Sequence, residues 1–207
     1  MILNRATIED YESIIAFYDD VTDRTLEMEL YARWQKGKHP THDGIRAYIE
    51  KESMYLYKEN DVIIGAIAVT MYQGERLRER LRVGDGTSGM GETSAQRLST
   101  NGAQESSGMD YHAIEWSQQV LDNEVAVIHI LAVSPDCQGK GIGSEMIREA
   151  IRLAQTNGMK AIRLDALASN TPAHSIYKSL GFEYRGKQHI YAENTGWTDF
   201  YFFEYHD

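Results

Sequence analysis

Between Val125 and Val133 the chain reads VAVIHILAV, nine residues whose one polar side chain is His129. The run is far short of the roughly 20 residues that cross a bilayer. Its length and β-branched content fit a strand buried on both faces, and such a strand belongs inside a sheet with helices packed against it. The flanking sequence alternates to match. Ile2 to Ala6 predicts a short strand. Thr7 caps a helix whose apolar positions are Tyr11, Ile14, Ile15 and Tyr18, with Asp10 in its first turn. Leu26 to Trp34 continues helically as far as Gly37 and Pro40, and Thr41 restarts a helix through Ile45, Tyr48 and Ile49. Met54–Tyr57 and Val62–Tyr72, joined by Glu59-Asn60-Asp61, predict a β-hairpin. A helix is predicted over 111–120. After the apolar strand come a helix over 138–156, a strand over 161–167, a helix over 171–180 and strands over 182–191 and 200–205. Alternation of this kind predicts an α/β (α+β) domain with helices on a mixed sheet.

Gln73 to Asp110 interrupts the pattern. The stretch holds no aromatic residue, is rich in Gly, Ser and Thr, and opens with the arginine-dense RLRERLR. It predicts a mobile insertion with no fixed role in the core, the alternative being an arginine patch for phosphate. The 207-residue chain as a whole suits a single domain. Its 31 acidic against 21 basic side chains, a formal net charge of -10, argue against a nucleic-acid partner and mildly favour cationic ones. One cysteine, Cys137, forms no internal disulfide and points to a reducing, cytoplasmic setting. MILNRATIED lacks the apolar stretch of a signal peptide, and no membrane association is expected.

Directly after the apolar strand, Gly139-Lys140-Gly141-Ile142-Gly143 leads into an amphipathic stretch with Ile142, Met146, Ile147, Ala150, Ile151 and Ala154 on one face. Strand, glycine loop and helix N-terminus together bind phosphate, because the first helical N–H groups lack internal partners and sit at the positive end of the macrodipole. A Walker A loop needs Ser or Thr after its Gly-Lys pair, and a dinucleotide fingerprint needs a G-x-G-x-x-G spacing. Neither is present. What remains is Gln138-x-x-Gly141-x-Gly143. Downstream, ASNTPAHSIYKSLGFEYRG sets Asn170, Ala173, Tyr177, Gly181 and Phe182 in a second register. On these two signatures the sequence resembles the GNAT superfamily of acetyl-CoA-dependent N-acetyltransferases, from Ile2 to the final aromatic strand apart from Gln73 to Asp110.

The resemblance implies the GNAT fold, a mixed, mostly antiparallel central sheet of six to seven strands flanked by about four helices. It implies acetyl-CoA as cosubstrate, no metal, and direct transfer to a primary amine. Within it, Gln138, Gly139, Lys140, Gly141, Ile142, Gly143 and Ser144 would hold the diphosphate. The central strand would splay from its neighbour, freeing Leu131 N–H for the thioester carbonyl and Val133 for the pantetheine amide, with Ala132 between them. Asn170 would lie near the pantetheine, and the Tyr177 hydroxyl would protonate the departing thiolate. His129 has two readings, a core histidine or the base that takes the amine proton; strict alternation puts it on the face of Val127 and Leu131. Other family members carry a glutamate where this chain has Val127. Glu124 and Glu115 are fallback bases. Lys140 is equally a phosphate partner or a solvated loop residue, and Cys137 a plain turn residue. Tyr31, Trp34 and Tyr72 are acceptor-pocket candidates. The acceptor is expected to be a small amine, with a protein N-terminus or lysine, or a non-catalytic acyl-CoA sensor, as alternatives. A homodimer is allowed but not specified.

Overall fold

The computed structural model describes residues 2–71 and 109–206. Nearly all of the predicted insertion, and Tyr72 with it, therefore lies outside the described residues. Among the described residues seven strands form one open sheet: β1 (Asn4–Arg5), β2 (Met54–Glu59), β3 (Val62–Met71), β4 (Val125–Val133), β5 (Ala161–Leu167), β6 (Glu183–Ala192) and β7 (Gly196–Tyr205). Their order is β1-β2-β3-β4-β5-β7-β6. Every neighbouring pair is antiparallel except β4 with β5. That parallel pair needs a crossover, which is the helix after the glycine loop.

Among the described residues five α-helices cover the sheet: α1 (Tyr11–Arg24), α2 (Met28–Tyr31), α3 (His42–Glu50), α4 (Ile142–Thr156) and α5 (Thr171–Ser179). On one face α4 buries Met146, Ile147, Ala150, Ile151 and Ala154, the stripe expected from its sequence, beside Tyr177 and Phe182. On the other, Ile14, Phe17, Tyr18 and Val21 of α1 and Ile45, Tyr48 and Ile49 of α3 pack over Leu56, Ala66, Ala68 and Ala132. β4 is thus covered on both sides, as its composition requires. No helix among the described residues is long and apolar enough to cross a membrane.

Three elements depart from the pattern read in the sequence. The helix predicted over 111–120 is a single 3₁₀ turn, Tyr111–Ala113. Further along, Ser117 N–H and Gln118 N–H donate to the buried Glu204 carboxylate, at 2.9 and 3.3 Å, instead of to carbonyls one turn back. The run 26–34 is helical only over Met28–Tyr31, bounded by Glu27 at φ 57° and Arg33 at φ 54°, which a right-handed helix cannot include. The helix predicted from Gln138 begins at Ile142, because Gly139 (φ 73°) and Gly141 (φ 82°) hold left-handed conformations.

Close packing of α4 on the sheet rests on Gly65, paired with Val133. A Cβ there would overlap the Met146 sulfur and stand 3.4 Å from the Ala132 carbonyl oxygen. Met146 is fully buried, so it moves only by disturbing its neighbours. Gly65→Ala is expected to lower stability by about 1–3 kcal/mol, read by chemical denaturation, in spite of the better strand propensity of alanine.

Candidate active site

The central strand carries an irregularity that its composition does not announce. Ala66 faces Ala132 and Ala68 faces His129, so three steps on β4 oppose two on β3. The extra residue is a β-bulge, and Ile130 within it has φ 43°. Tyr18 Oη donates to the Ile130 carbonyl at 2.7 Å, tying the bulge to α1. A bulge resets alternation. His129 stacks on Tyr48 of α3, with ring centroids 5.6 Å apart, and Ile130 and Ala132 pack on that same face. Leu131 and Val133 pack on the α4 face. The expectation that His129 shares a face with both Val127 and Leu131 is therefore corrected: Leu131 lies on the opposite one.

Beyond the bulge the sheet opens. β4 pairs with β5 only over Val125–Ile128 and Ala161–Leu164, while β5 continues to Leu167 in contact with β7. Ser134 N–H donates to the Ile64 carbonyl at 2.9 Å, toward β3. Successive strand N–H groups alternate between edges, so those of Val133 and Leu131 face the gap.

At the end of this gap lies the glycine loop. Gln138 Nε2 donates to Thr25 Oγ1 at 3.0 Å and to the Val133 carbonyl at 3.1 Å. Lys140 Nζ donates to the Asp136 carbonyl at 2.9 Å, and Arg24 of α1 pairs with the Asp136 carboxylate. Gln138 and the Arg24–Asp136 pair thus fasten the loop to α1 and the segment that follows it, while Lys140 ties the loop to its own preceding turn. An added Cβ at Gly139 or Gly141 meets nothing within 4 Å, so these glycines serve the left-handed turn, and the space before them stays open. The first bond inside α4 runs from Glu145 N–H to the Gly141 carbonyl, 3.1 Å, leaving Ile142, Gly143 and Ser144 N–H without intrahelical acceptors.

Asn170 caps α5, its Oδ1 accepting from Ala173 N–H at 3.3 Å. Two turns beyond Asn170, Tyr177 is buried among aromatic rings, 6.0 Å from Phe182 and 5.6 Å from Phe203. Burial, with the Asp165 charge adding to it, pushes its phenol well above the usual range. It is a proton donor throughout ordinary pH. His129 Nε2 lies 3.2 Å from Thr70 Oγ1, which donates to the Val127 carbonyl at 3.3 Å. Burial, reinforced by His39, pulls the His129 pKa down to about 4, so the ring is neutral at every pH above that.

The sequence profile of the Acetyltransferase (GNAT) family matches residues 17–182. The chain belongs to this family. Its likeness to individual GNAT proteins is local. It is 40% identical over 68 residues to an uncharacterized N-acetyltransferase of Methanocaldococcus jannaschii, covering 33% of this chain and 30% of that protein. To a mycothiol acetyltransferase of an Arthrobacter species it is 32% identical over 72 residues, 35% of this chain and 22% of the other. To the [ribosomal protein bS18]-alanine N-acetyltransferase of Salmonella typhimurium it is 38% identical over 66 residues, 32% and 43% of the two chains. The chain thus covers less than half of each of these three curated relatives. Among solved structures, the fold matches a ribosomal-protein-alanine N-acetyltransferase from Brucella melitensis (TM-score 0.61, 14% identity, all of both chains). It also matches yncA of Salmonella typhimurium, solved with its cofactor acetyl-CoA (TM-score 0.60, 16% identity, 100% and 93% of the two chains).

Placed on this GNAT frame, Leu131, Ala132, Val133 and the loop from Gln138 to Ser144 adjoin one another. Trp34 lies on the His129 face, its ring 5.8 Å from both Tyr18 and His39. Tyr31 ends α2. Of the fallback bases, Glu124 stands at the far end of β4, paired with Lys160 at 2.7 Å, and Glu115 is exposed. The residue that sequence reasoning missed is Asp165. It follows Leu164, the last β5 residue paired with β4, so Asp165 and His129 are the first residues on either side of the gap. Tyr111 Oη donates to Asp165 Oδ1 at 2.7 Å. Desolvation raises the Asp165 pKa to about 6, although the Tyr111 bond opposes the rise. Its signal was visible as the lone acid in the apolar run AIRLDAL.

Proposed function

We propose that the chain is an N-acetyltransferase that uses acetyl-CoA and passes its acetyl group directly to the primary amine of a small molecule. The observation that carries this reading is the gap between β4 and β5, edged by the Leu131 and Val133 N–H groups and closed by the N-terminus of α4. The fit to acetyl-CoA is chemical. The open space at Gly139 and Gly141 admits a diphosphate, and the α4 N–H groups of Ile142, Gly143 and Ser144 supply donors. Leu131 N–H serves as oxyanion donor, Val133 N–H meets the pantetheine amide, Asn170 flanks it, and Tyr177 Oη protonates the leaving sulfur. Bound acetyl-CoA supplies the activated acyl group; the chain aligns it, excludes water and handles protons.

A surplus of acidic side chains favours a cationic acceptor. The similarity to bS18-alanine N-acetyltransferases supports a second reading, in which the acceptor is a protein N-terminal amine. The single cysteine favours the cytoplasm.

The test is titration calorimetry with acetyl-CoA, followed by thiol release against amines and peptides. Saturable heat is expected from the unaltered protein. Gly141→Ala forces an alanine to φ 82°, a strain of ~1–2 kcal/mol that is relieved only by moving the loop. Its affinity is expected to fall roughly 5- to 30-fold. Absence of heat from folded, unaltered protein would remove the reading.

A further inference from the structure

We propose that Asp165 is the group that receives the acceptor amine, taking its ammonium proton at the mouth of the gap, with the Tyr111 hydroxyl as its positioning partner. This rests on the transfer activity proposed above and adds the identity of the base.

The argument begins with register. Val127 lies beside Arg163 and Ile128 beside Leu164 in the parallel pair, and adjacent residues of parallel strands share a face. One step further, where pairing ceases, His129 and Asp165 project to the same face, away from α4. Contacts agree: His129 stacks on Tyr48 of α3, and Asp165 accepts from Tyr111, which packs with Ile114, Phe200 and Phe202. The diphosphate loop and Tyr177 lie with α4 and α5 on the other side of the sheet. A thioester threaded through the gap therefore meets its acid from one face and its amine from the other.

Two groups compete for the amine proton. His129 commits Nε2 to Thr70 and is held neutral by burial, its conjugate acid stable only below about pH 4. An imidazole this weakly basic takes a proton from an ammonium poorly. Asp165 is charged at neutral pH, and a carboxylate attracts the ammonium as well as deprotonating it. Asp165 is half-buried beside the gap, and desolvation sets its pKa at about 6, near the working range of a base. The titratable groups around it are Tyr111, Tyr48 of α3, Tyr177 of α5, His129 of β4 and Arg163 of β5. Asp165 bears on the ionisation of the three tyrosines, raising each, while Arg163 is engaged by Glu204 at 3.1 Å.

In the step itself, an Asp165 oxygen accepts one ammonium proton, leaving a neutral nitrogen with a lone pair. That nitrogen forms the C–N bond at the thioester carbonyl carbon. The C–S bond breaks with its electron pair going to sulfur, which takes the Tyr177 proton. The second nitrogen proton returns to the Tyr177 oxygen through water, and Asp165 loses its proton to solvent. Ammonium and thioester thus become amide, thiol and one released proton.

The experiment compares unaltered protein, Asp165→Asn, Asp165→Glu and Tyr111→Phe. Each is measured for acetyl-CoA affinity by calorimetry, for kcat/KM of the best acceptor across pH 5–9, and for carboxyl titration by infrared difference spectroscopy without ligand. Asp165→Asn keeps the Tyr111 acceptor and is expected to melt and to bind acetyl-CoA as the unaltered protein does. Its transfer is expected to fall roughly 10²- to 10⁴-fold, with loss of the rise in rate near pH 6. Asp165→Glu should recover part of the rate. Tyr111→Phe should move both the infrared titration and the kinetic limb upward, because it removes the bond that favours the charged form. If Asp165→Asn transfers at the unaltered rate, or retains the limb while binding acetyl-CoA, Asp165 is only a partner for Tyr111 and the inference falls. If the unaltered protein binds no acetyl-CoA, the failure lies with the proposed activity and takes this inference with it.

Discussion

Tyr177→Phe is expected to bind acetyl-CoA as the unaltered protein does and to transfer its acetyl group roughly 10²–10⁴ times more slowly. The substitution deletes one oxygen and leaves the ring that packs on Phe182 and Phe203, so the fold has no reason to change. What disappears is the hydroxyl proposed to protonate the departing sulfur. Burial, with Asp165 behind it, holds the phenol protonated well past its usual range. A raised acid pKa keeps the donor form present at low and neutral pH, and Tyr177 should therefore impose no rate loss until pH climbs beyond that of an ordinary tyrosine. Thiol release measured beside calorimetry separates the effects. Normal turnover in Tyr177→Phe would assign the acid elsewhere, whereas loss of binding would make Tyr177 a cofactor-holding residue.

Glu204→Gln is expected to cost about 3–5 kcal/mol of stability, a fall in Tm on the order of 10 °C. Glu204 is 0% exposed in β7. Its carboxylate accepts from Arg163 Nε at 3.1 Å, Ser117 Oγ at 2.5 Å and Ser117 N–H at 2.9 Å, and Arg185 Nε stands 3.5 Å away. Arg163 in turn lies over the Trp116 ring, 4.2 Å from its centroid, and donates to the Gln118 carbonyl. An amide of the same shape leaves the Arg163 charge buried without its counter-ion and puts N–H donors where acceptors are needed. Paired thermal and denaturant melts decide it. A loss below 1 kcal/mol would show that water reaches the pair. Because the same carboxylate anchors 116–118 beside Tyr111, a smaller decline in transfer should accompany the loss of stability.

These two residues differ in how openly the chain announced them. Tyr177 stands in the Asn170, Ala173, Gly181 and Phe182 register, where its spacing was legible. Glu204 looked like one acid in an aromatic strand, and nothing in FYFFEYH indicates that Arg163, 41 positions earlier, lies against it. The departure of 111–120 from the expected helix has the same origin: a distant carboxylate takes the Ser117 and Gln118 N–H groups from the local carbonyls. Asp165 is marked in the sequence as the lone acid of an apolar strand, but only the end of β4–β5 pairing sets it beside a gap.

Local physics was enough for the elements that depend on their own neighbours in sequence. The doubly buried β4, the amphipathic α4 with its glycine turn, and the capped α5 all follow from period, side-chain shape and backbone freedom, quantities that a short window of residues fixes. The bulge at Ile130, the parting of β4 from β5, and the meeting of His129, Asp165, Tyr48 and Tyr111 on one face came only with the tertiary structure. Each depends on which strand lies alongside which and where their pairing stops. Pairing joins residues tens of positions apart, so its free energy belongs to no single stretch of chain.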